Sequence, residues 1–250
     1  MTGARLPSLS IVIPAYNEAA SIEATIDDAL AVGAEVADLL EVIVCNDGSA
    51  DETGELIRRR AADEPRLRVL LRGRNAGIEA SMRALYAHAR HAWVFLMSAD
   101  RQWPMATLHP MAEAALAGAD FVIGARANKR EVYTPYRQLV SWGYARIVGA
   151  LGAPSGDPGS IKLARRPLLH AAVAADGVFA EGERIIRAAR AGWRVVEVPV
   201  EFTRRGAGKA TGARRDVVAR ALRDAARVAA SLTVGWPAPR VPVADVDEDR

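Results

Sequence analysis

Cysteine is nearly absent from this chain: Cys45 stands alone among 250 residues, so no internal disulfide can form and a reducing compartment is expected. Its apolar surroundings mark Cys45 as core packing rather than reactive thiol. No run of 18 or more apolar residues occurs, which leaves no candidate membrane-spanning helix. Met1–Ser8 lacks an apolar signal core, so the expected location is cytoplasmic. Charge of one sign is also lacking. The formal net charge is +3, from 33 basic and 30 acidic residues, and no basic–aromatic surface motif is present. These features argue against a nucleic-acid partner. No internal repeat is visible.

What is present is an ordinary globular composition, 50% hydrophobic and 25% charged, enough for one large core or two small ones. Arginines cluster at Arg58–Arg60, Arg165–Arg166, Arg204–Arg205 and Arg214–Arg215. Such clusters suit paired hydrogen bonding to phosphate, or simply solvated helix faces.

Along the chain, β-branched runs alternate with helical spacing about every 30 residues, the pattern of βαβ units and a parallel sheet. Strands are predicted at 9–14, 39–45, 67–71 and 93–97, with helices at about 22–30, 52–62 and 78–89 between them. A helix at about 105–117 leads to a strand at 121–124, and then to a polar, basic segment at 125–134 expected to be a mobile loop. A helix at about 136–151, a turn-rich loop carrying Asp157, a short strand at 161–163 and a helix at 167–175 follow. A helix at 181–191 carries Glu181 and Glu183 in its first turn, where the helix dipole is reason enough for both. Pro199, inside the strand at 195–202, places that strand at a sheet edge. The glycine-rich basic segment Arg204–Gly212 would let backbone N–H groups approach phosphate.

The last helix, within 213–234, has Val217, Val218, Ala221, Leu222, Ala225 and Val228 on one side. It packs on its own domain or lies peripherally on the inner face of a membrane. Residues 235–250 are expected to be a disordered tail. The four histidines, His88, His91, His109 and His170, are read as structural or surface residues.

The organising stretch is Phe95–Pro104. An apolar strand stops at Ser98-Ala99-Asp100-Arg101-Gln102, and ligands of open α/β sheets bind at the carboxyl ends of strands. Asp100 and Gln102 are therefore either oxygen ligands or caps of the next helix.

Four segments, Ile13-Pro14-Ala15-Tyr16-Asn17-Glu18, Asn46-Asp47-Gly48-Ser49-Ala50-Asp51, Arg74-Asn75-Ala76-Gly77 and Ser98–Gln102, occur in an order and spacing that resemble the family 2 glycosyltransferases with the GT-A fold. Val122–Arg126, Asp157–Ser160, Gly192–Pro199 and Arg204–Lys209 look like its polyprenyl-phosphate hexosyltransferase branch, typified by dolichol-phosphate mannose synthase. The resemblance spans roughly residues 8–212. It implies a Rossmann-like, mostly parallel α/β sheet flanked by helices, and inverting transfer of a hexose from a GDP- or UDP-sugar. Pro14, Tyr16, Asn17, Glu18, Asn46, Asp47, Ser98, Ala99, Asp100 and Arg101 match donor-nucleotide positions. Asp100 and Gln102 match metal positions, for Mg²⁺ or Mn²⁺. Arg126, Arg137, Ser160, Arg204 and Lys209 match acceptor or phosphate positions, and Asp100 and Asp157 are the catalytic candidates.

Three departures accompany the match. Asn46 and Ser98 stand where the family usually has Asp, so weak metal binding, greater reliance on Arg101 and other bases, or an altered donor is expected. The acceptor run after Asp157 is shortened to Ser160-Ile161-Lys162. A lipid-phosphate acceptor needs no strong base, whereas a soluble hydroxyl acceptor would need one, with Asp157 first in line. A nucleotide-sugar binding protein without catalysis is the remaining reading.

Overall fold

The computed structural model describes residues 4–153, 155–203 and 215–232. In chain order the elements are β1 (Leu6–Ala15), α1 (Ile22–Val36), β2 (Ala37–Asn46), α2 (Thr53–Asp63), β3 (Leu67–Leu71), α3 (Ile78–His88), β4 (Trp93–Leu96) and α4 (Leu108–Leu116). They continue with β5 (Phe121–Arg126), α5 (Lys129–Val132), α6 (Pro135–Ala150), β6 (Lys162–Arg165), α7 (Arg166–His170), α8 (Ala180–Arg190), β7 (Val195–Val200) and α9 (Arg215–Ser231).

The strands form one sheet in the order β3-β2-β1-β4-β6-β5-β7. All pairings are parallel except those of β6, which runs antiparallel to both β4 and β5. The first half thus follows the predicted βαβ plan. At β1, Ile11, Val12 and Ile13 are all fully buried, as befits a strand covered on both faces. Alternation divides them: Leu9, Ile11 and Ile13 face Ile22, Ile26 and Leu30 of α1 with Leu108 and Met111 of α4. Val12, with Ile43 and Cys45 of β2, faces Leu85 and Tyr86 of α3 with Ile185 and Ile186 of α8. Each fully buried Ile or Leu contributes about 1.5–3 kcal/mol of transfer free energy. Cys45 is a free, buried thiol.

Several expectations are corrected. The short strand expected at 161–163 is β6, shifted to Lys162–Arg165; it runs antiparallel to β4 and β5 because the 151–161 connection enters it beside the carboxyl ends of those strands. The helix expected at 167–175 stops at His170 in α7. The segment 125–134 is not a loose loop: β5 extends to Arg126, α5 forms a turn, and Arg126 and Lys129 both bind Asp157. Pro199 does lie on an edge strand, β7, opposite Ala125. Among the described residues, no helix is long and apolar enough to cross a membrane.

Candidate functional site

The carboxyl ends of β1, β2 and β4 point the same way, and the loops leaving them interlock. Asn17, in the left-handed region at φ 54°, accepts from the Ala50 N–H at 2.9 Å, while its own N–H donates to Ser49 Oγ at 2.9 Å. Asn46 Oδ1 accepts from the Ser49 hydroxyl at 2.6 Å. The Glu18 N–H donates to Thr53 Oγ1 at 2.9 Å. Asp47, 3% exposed, accepts from the N–H groups of Ala76 (3.0 Å) and Gly77 (2.8 Å), fixing the entry of α3. Each carboxylate oxygen has a second lone pair, so Asp47 keeps acceptor capacity. Gly48, at φ +69°, brings this loop so close to the backbone of Arg74 that a Cβ would lie 2.4 Å from it. The shared positions of the first, second and third motifs are therefore one built rim. Tyr16 stands on it 46% exposed.

At the end of β4, Asp100 Oδ1 accepts from Ser98 Oγ at 2.7 Å and from the Gln102 N–H at 3.2 Å. The buried Ala99 carbonyl accepts from Thr25 Oγ1 of α1 at 3.2 Å. Gln102 Nε2 donates to the Thr203 carbonyl at 3.2 Å, and Thr203 N–H donates back to Gln102 O at 2.8 Å. The metal-motif loop is thus laced to the segment after β7. Arg101, also at positive φ, turns its guanidinium outward to Asp28 of α1 at 2.8 Å. No cluster of three or more acid, Cys or His ligands exists among the described residues. The donors here are hard oxygens: the Asp100 carboxylate, the Ser98 hydroxyl and the Gln102 amide. They fit a Mg²⁺ or Mn²⁺ ion that takes most of its ligands from substrate phosphate and water.

The other side of the site centres on Arg126, at the end of β5. Its Nε donates to Asp157 Oδ2 at 2.6 Å, a second contact joins its Nη2 to Oδ1, and Lys129 Nζ lies 3.1 Å from Oδ1. Both members of the Arg126–Asp157 pair are almost wholly buried. Burial alone would raise the Asp157 carboxyl, but the hydrogen bonds and charge of Arg126, with the charge of Lys129, hold it below the ordinary carboxylate range. The Arg126 guanidinium sits among the rings of Trp103, Tyr133 and Phe202, at 5.8, 5.1 and 5.3 Å from their centroids. Arg137 stacks 4.0 Å over the other part of this cage, Tyr133. Ser160 donates its hydroxyl to the Gly124 carbonyl.

Between these two sides lies a cavity of about 500 Å³. Pro14 and Ser98 line it together with Arg126, Arg137, Asp157 and Ser160, and residues of α3, β4, β6, α6, α8 and α9 complete it. Tyr16, Asn17, Glu18, Asn46, Asp47, Ala99, Asp100, Arg101 and Gln102 do not line it; Asn46 and Asp47 are buried beneath the strand-end loops. Arg204 and Lys209 lie outside the described residues.

Sequence reasoning missed the floor. Lys162, 1% exposed, places Nζ 3.0 Å from Glu181 Oε2 and 2.9 Å from the Ser160 carbonyl. Tyr86 donates its hydroxyl to the same Glu181 oxygen at 3.0 Å. Glu181, read from sequence as a dipole residue, is buried. Burial would raise it, but the charges of Lys162 and Arg184 and the hydrogen bonds of Lys162 and Tyr86 hold its carboxyl low. Glu183 accepts from the N–H groups of Ala174 and Ala175 and from Arg187. Glu79, at the start of α3, lines the same cavity. Burial and the nearby Glu181 push its carboxyl up to about 8 against the opposing charges of Lys162, Arg184 and Arg83. The one available signal was a lysine inside an otherwise apolar strand. The His88 ring hydrogen-bonds with the Ala84 carbonyl, His109 lies 3.2 Å from the exposed Glu35, and neither lines the cavity.

An open α/β sheet with interlocked loops at its strand ends and a cavity beside them is an architecture of the GT-A kind. The chain belongs to glycosyl transferase family 2, whose model matches residues 10–170. It is 36% identical over 132 residues to the undecaprenyl-phosphate 4-deoxy-4-formamido-L-arabinose transferase of Aeromonas hydrophila, a match covering 52% of this chain and 40% of that protein. The enzyme of the same description from Pectobacterium carotovorum is 32% identical over 137 residues, covering 54% and 41%. The chain thus aligns with about two fifths of these relatives' length. Among solved structures, the glucosyl-3-phosphoglycerate synthase of Mycobacterium tuberculosis, in complex with Mn²⁺, uridine diphosphate and glucosyl-3-phosphoglycerate, superposes with a TM-score of 0.64 at 22% identity, over 88% of this chain and 80% of that one. A mannosyltransferase from Pyrobaculum calidifontis, in complex with GDP-Man and Mn²⁺, gives 0.55 at 22% identity, over 94% and 77%. These likenesses establish the fold.

Proposed function

We propose that this protein transfers a hexose, with inversion, from a GDP- or UDP-sugar to a polyprenyl-phosphate-type acceptor. One observation carries the reading: the cavity beside the Ser98–Gln102 loop is walled largely by apolar side chains, and of the cations that border it Arg126 and Lys162 are paired with Asp157 and Glu181, while Arg137 pairs with no carboxylate among the described residues. An amphiphilic anion, a phosphate on a hydrocarbon chain, matches that combination. The relatives named as undecaprenyl-phosphate transferases support the acceptor class, and the neighbours named with uridine diphosphate and GDP-Man support the donor class.

In this reading the rim formed by Pro14, Tyr16, Asn17, Glu18, Asn46 and Asp47 receives the base and ribose, and Asp100 with Gln102 faces the diphosphate. A divalent ion held there by Asp100, Gln102 and the diphosphate would stabilise the charge that develops on the leaving group. An acceptor phosphate oxygen attacks the anomeric carbon as the bond from that carbon to the β-phosphate oxygen breaks, and the nucleoside diphosphate departs with the bonding electrons. The attacking oxygen is already anionic, so no proton need be removed, and orientation is the main contribution of the protein. Asp157 accordingly acts as the partner that holds Arg126 and Lys129 in place. Its low-lying carboxyl, committed to two cations, makes it a poor general base for a hydroxyl acceptor.

The test is a transfer assay with GDP- and UDP-hexoses, Mn²⁺, and a short prenyl phosphate set against the matching prenol. Nucleoside diphosphate release with the phosphate and not with the alcohol is expected. Release with the alcohol alone would move the acceptor to the hydroxyl class, and release with neither, despite nucleotide binding, would favour a non-catalytic binding protein.

A further inference from the structure

Helix α6 is apolar on two sides. Val140, Ser141, Tyr144 and Ile147 face the cavity, while Tyr136, Leu139 and Trp142 stand 49%, 62% and 63% exposed on the other side. Spaced three apart, these three large side chains form one continuous stripe along the helix. Nothing among the described residues covers them. The helix contains no acidic residue. Exposed arginines flank the stripe: Arg130 before α6 and Arg146 near its end. Helix α9 lines the same cavity through Val217, Val218, Ala221 and Leu222, and adds exposed Arg220 and Arg223 beside a half-exposed Leu222.

We propose that the outer face of α6, through Tyr136, Leu139 and Trp142, docks on an anionic lipid bilayer, with Arg130, Arg146, Arg220 and Arg223 against the headgroups. This rests on the lipid-phosphate reading of the cavity. Tyr and Trp rings with one polar edge suit the boundary between headgroups and acyl chains, and arginines at the same level are drawn to anionic lipid. Docking in this way brings the α6 and α9 walls of the cavity to the membrane, so an acceptor chain can pass from the bilayer into the cavity without crossing water. A second copy of the chain fits the face less well, because a two-fold contact on this stripe would set arginines against arginines. The assignment also moves the membrane contact from where the sequence put it. Ala225 and Val228 of α9 are buried in the domain, and Val217, Val218, Ala221 and Leu222 line the cavity, so that helix's apolar side is turned to the domain and the cavity.

The experiment is flotation of the full chain with phosphatidylcholine vesicles, with and without phosphatidylglycerol. The wild type is expected to float with anionic vesicles and not with neutral ones. The double variant Leu139→Ser/Trp142→Ser should bind at least about tenfold more weakly, with an unchanged melting temperature and an unchanged thermal shift on adding nucleoside diphosphate. Arg146→Glu should weaken flotation with anionic vesicles, with an unchanged melting temperature. Wild-type indifference to anionic vesicles, or undiminished binding by a folded double variant, overturns the proposal, as does a wild-type dimer that the double variant dissolves. Transfer to a short, water-soluble prenyl phosphate separates the two readings. The double variant should retain it while losing transfer to a long-chain lipid in vesicles. Vesicle binding that depends on α6, with no transfer to either phosphate, supports the docking surface and rejects the acceptor.

Discussion

Asp157 illustrates how residue chemistry is decided by neighbours. Its carboxylate neutralises the buried Arg126 and the half-buried Lys129. Asp157→Asn should therefore destabilise the protein by about 3–5 kcal/mol, the range for breaking a buried pair, as measured by urea unfolding at neutral pH. The folded carboxyl lies below its ordinary value. Its stabilisation is thus present above the unfolded pKa near 3.8 and is lost as pH falls through the lower folded value. Wild type should lose part of its advantage over the Asn variant in strong acid. Glu79 has the opposite sign. Its folded carboxyl is raised from 4.5 to about 8, so its contribution is greatest below pH 4.5 and declines as pH rises through that window. Glu79→Gln should raise the melting temperature relative to wild type by a few degrees at pH 9 and little or not at all at pH 4. An equal shift at both pH values would contradict the raised carboxyl. Ser98 is a third case. Its hydroxyl donates to Asp100, where a carboxylate would add a second charge. Ser98→Asp should lower the Mn²⁺ concentration needed for a half-maximal thermal shift with nucleoside diphosphate, on the order of tenfold, because affinity follows ligand charge.

Among elements, the loops after β1, β2 and β3 act as a unit rather than as three turns. Gly48→Ala tests that unit, since both its positive φ and the Arg74 backbone oppose a side chain. A loss of about 1–3 kcal/mol is expected, together with weaker nucleotide binding by calorimetry; full binding at wild-type stability would show the loops to be independent. The elements of this half were legible from sequence because a parallel strand buried on both faces leaves an unbroken apolar run. The later elements were harder to read. β6 is four residues long, begins with Lys162 and pairs antiparallel on both sides, so neither its pattern nor its direction follows from period or length. Segment 125–134 looked like a loop because it is polar. Its polarity is spent on Asp157 and on the ring cage.

At the scale of the molecule, two apolar layers hold the sheet, and the cavity opens where the parallel half meets the antiparallel insertion of β6. Ser98 from the first half and Arg126, Asp157 and Ser160 from the second line one space, though up to 62 positions separate them in the chain. The sequence by itself determined the βαβ half, the strand-end motifs and the family resemblance. All three rest on local periodicity or on short segments in fixed order. Only the tertiary structure decided that Asp157 is bound by Arg126 and Lys129, that Arg101 turns away to Asp28, that Lys162 and Glu181 form a buried floor, and that α6 rather than α9 offers an uncovered apolar stripe. These depend on contacts between residues distant in the chain, where burial and charge pairing override what any single segment prefers.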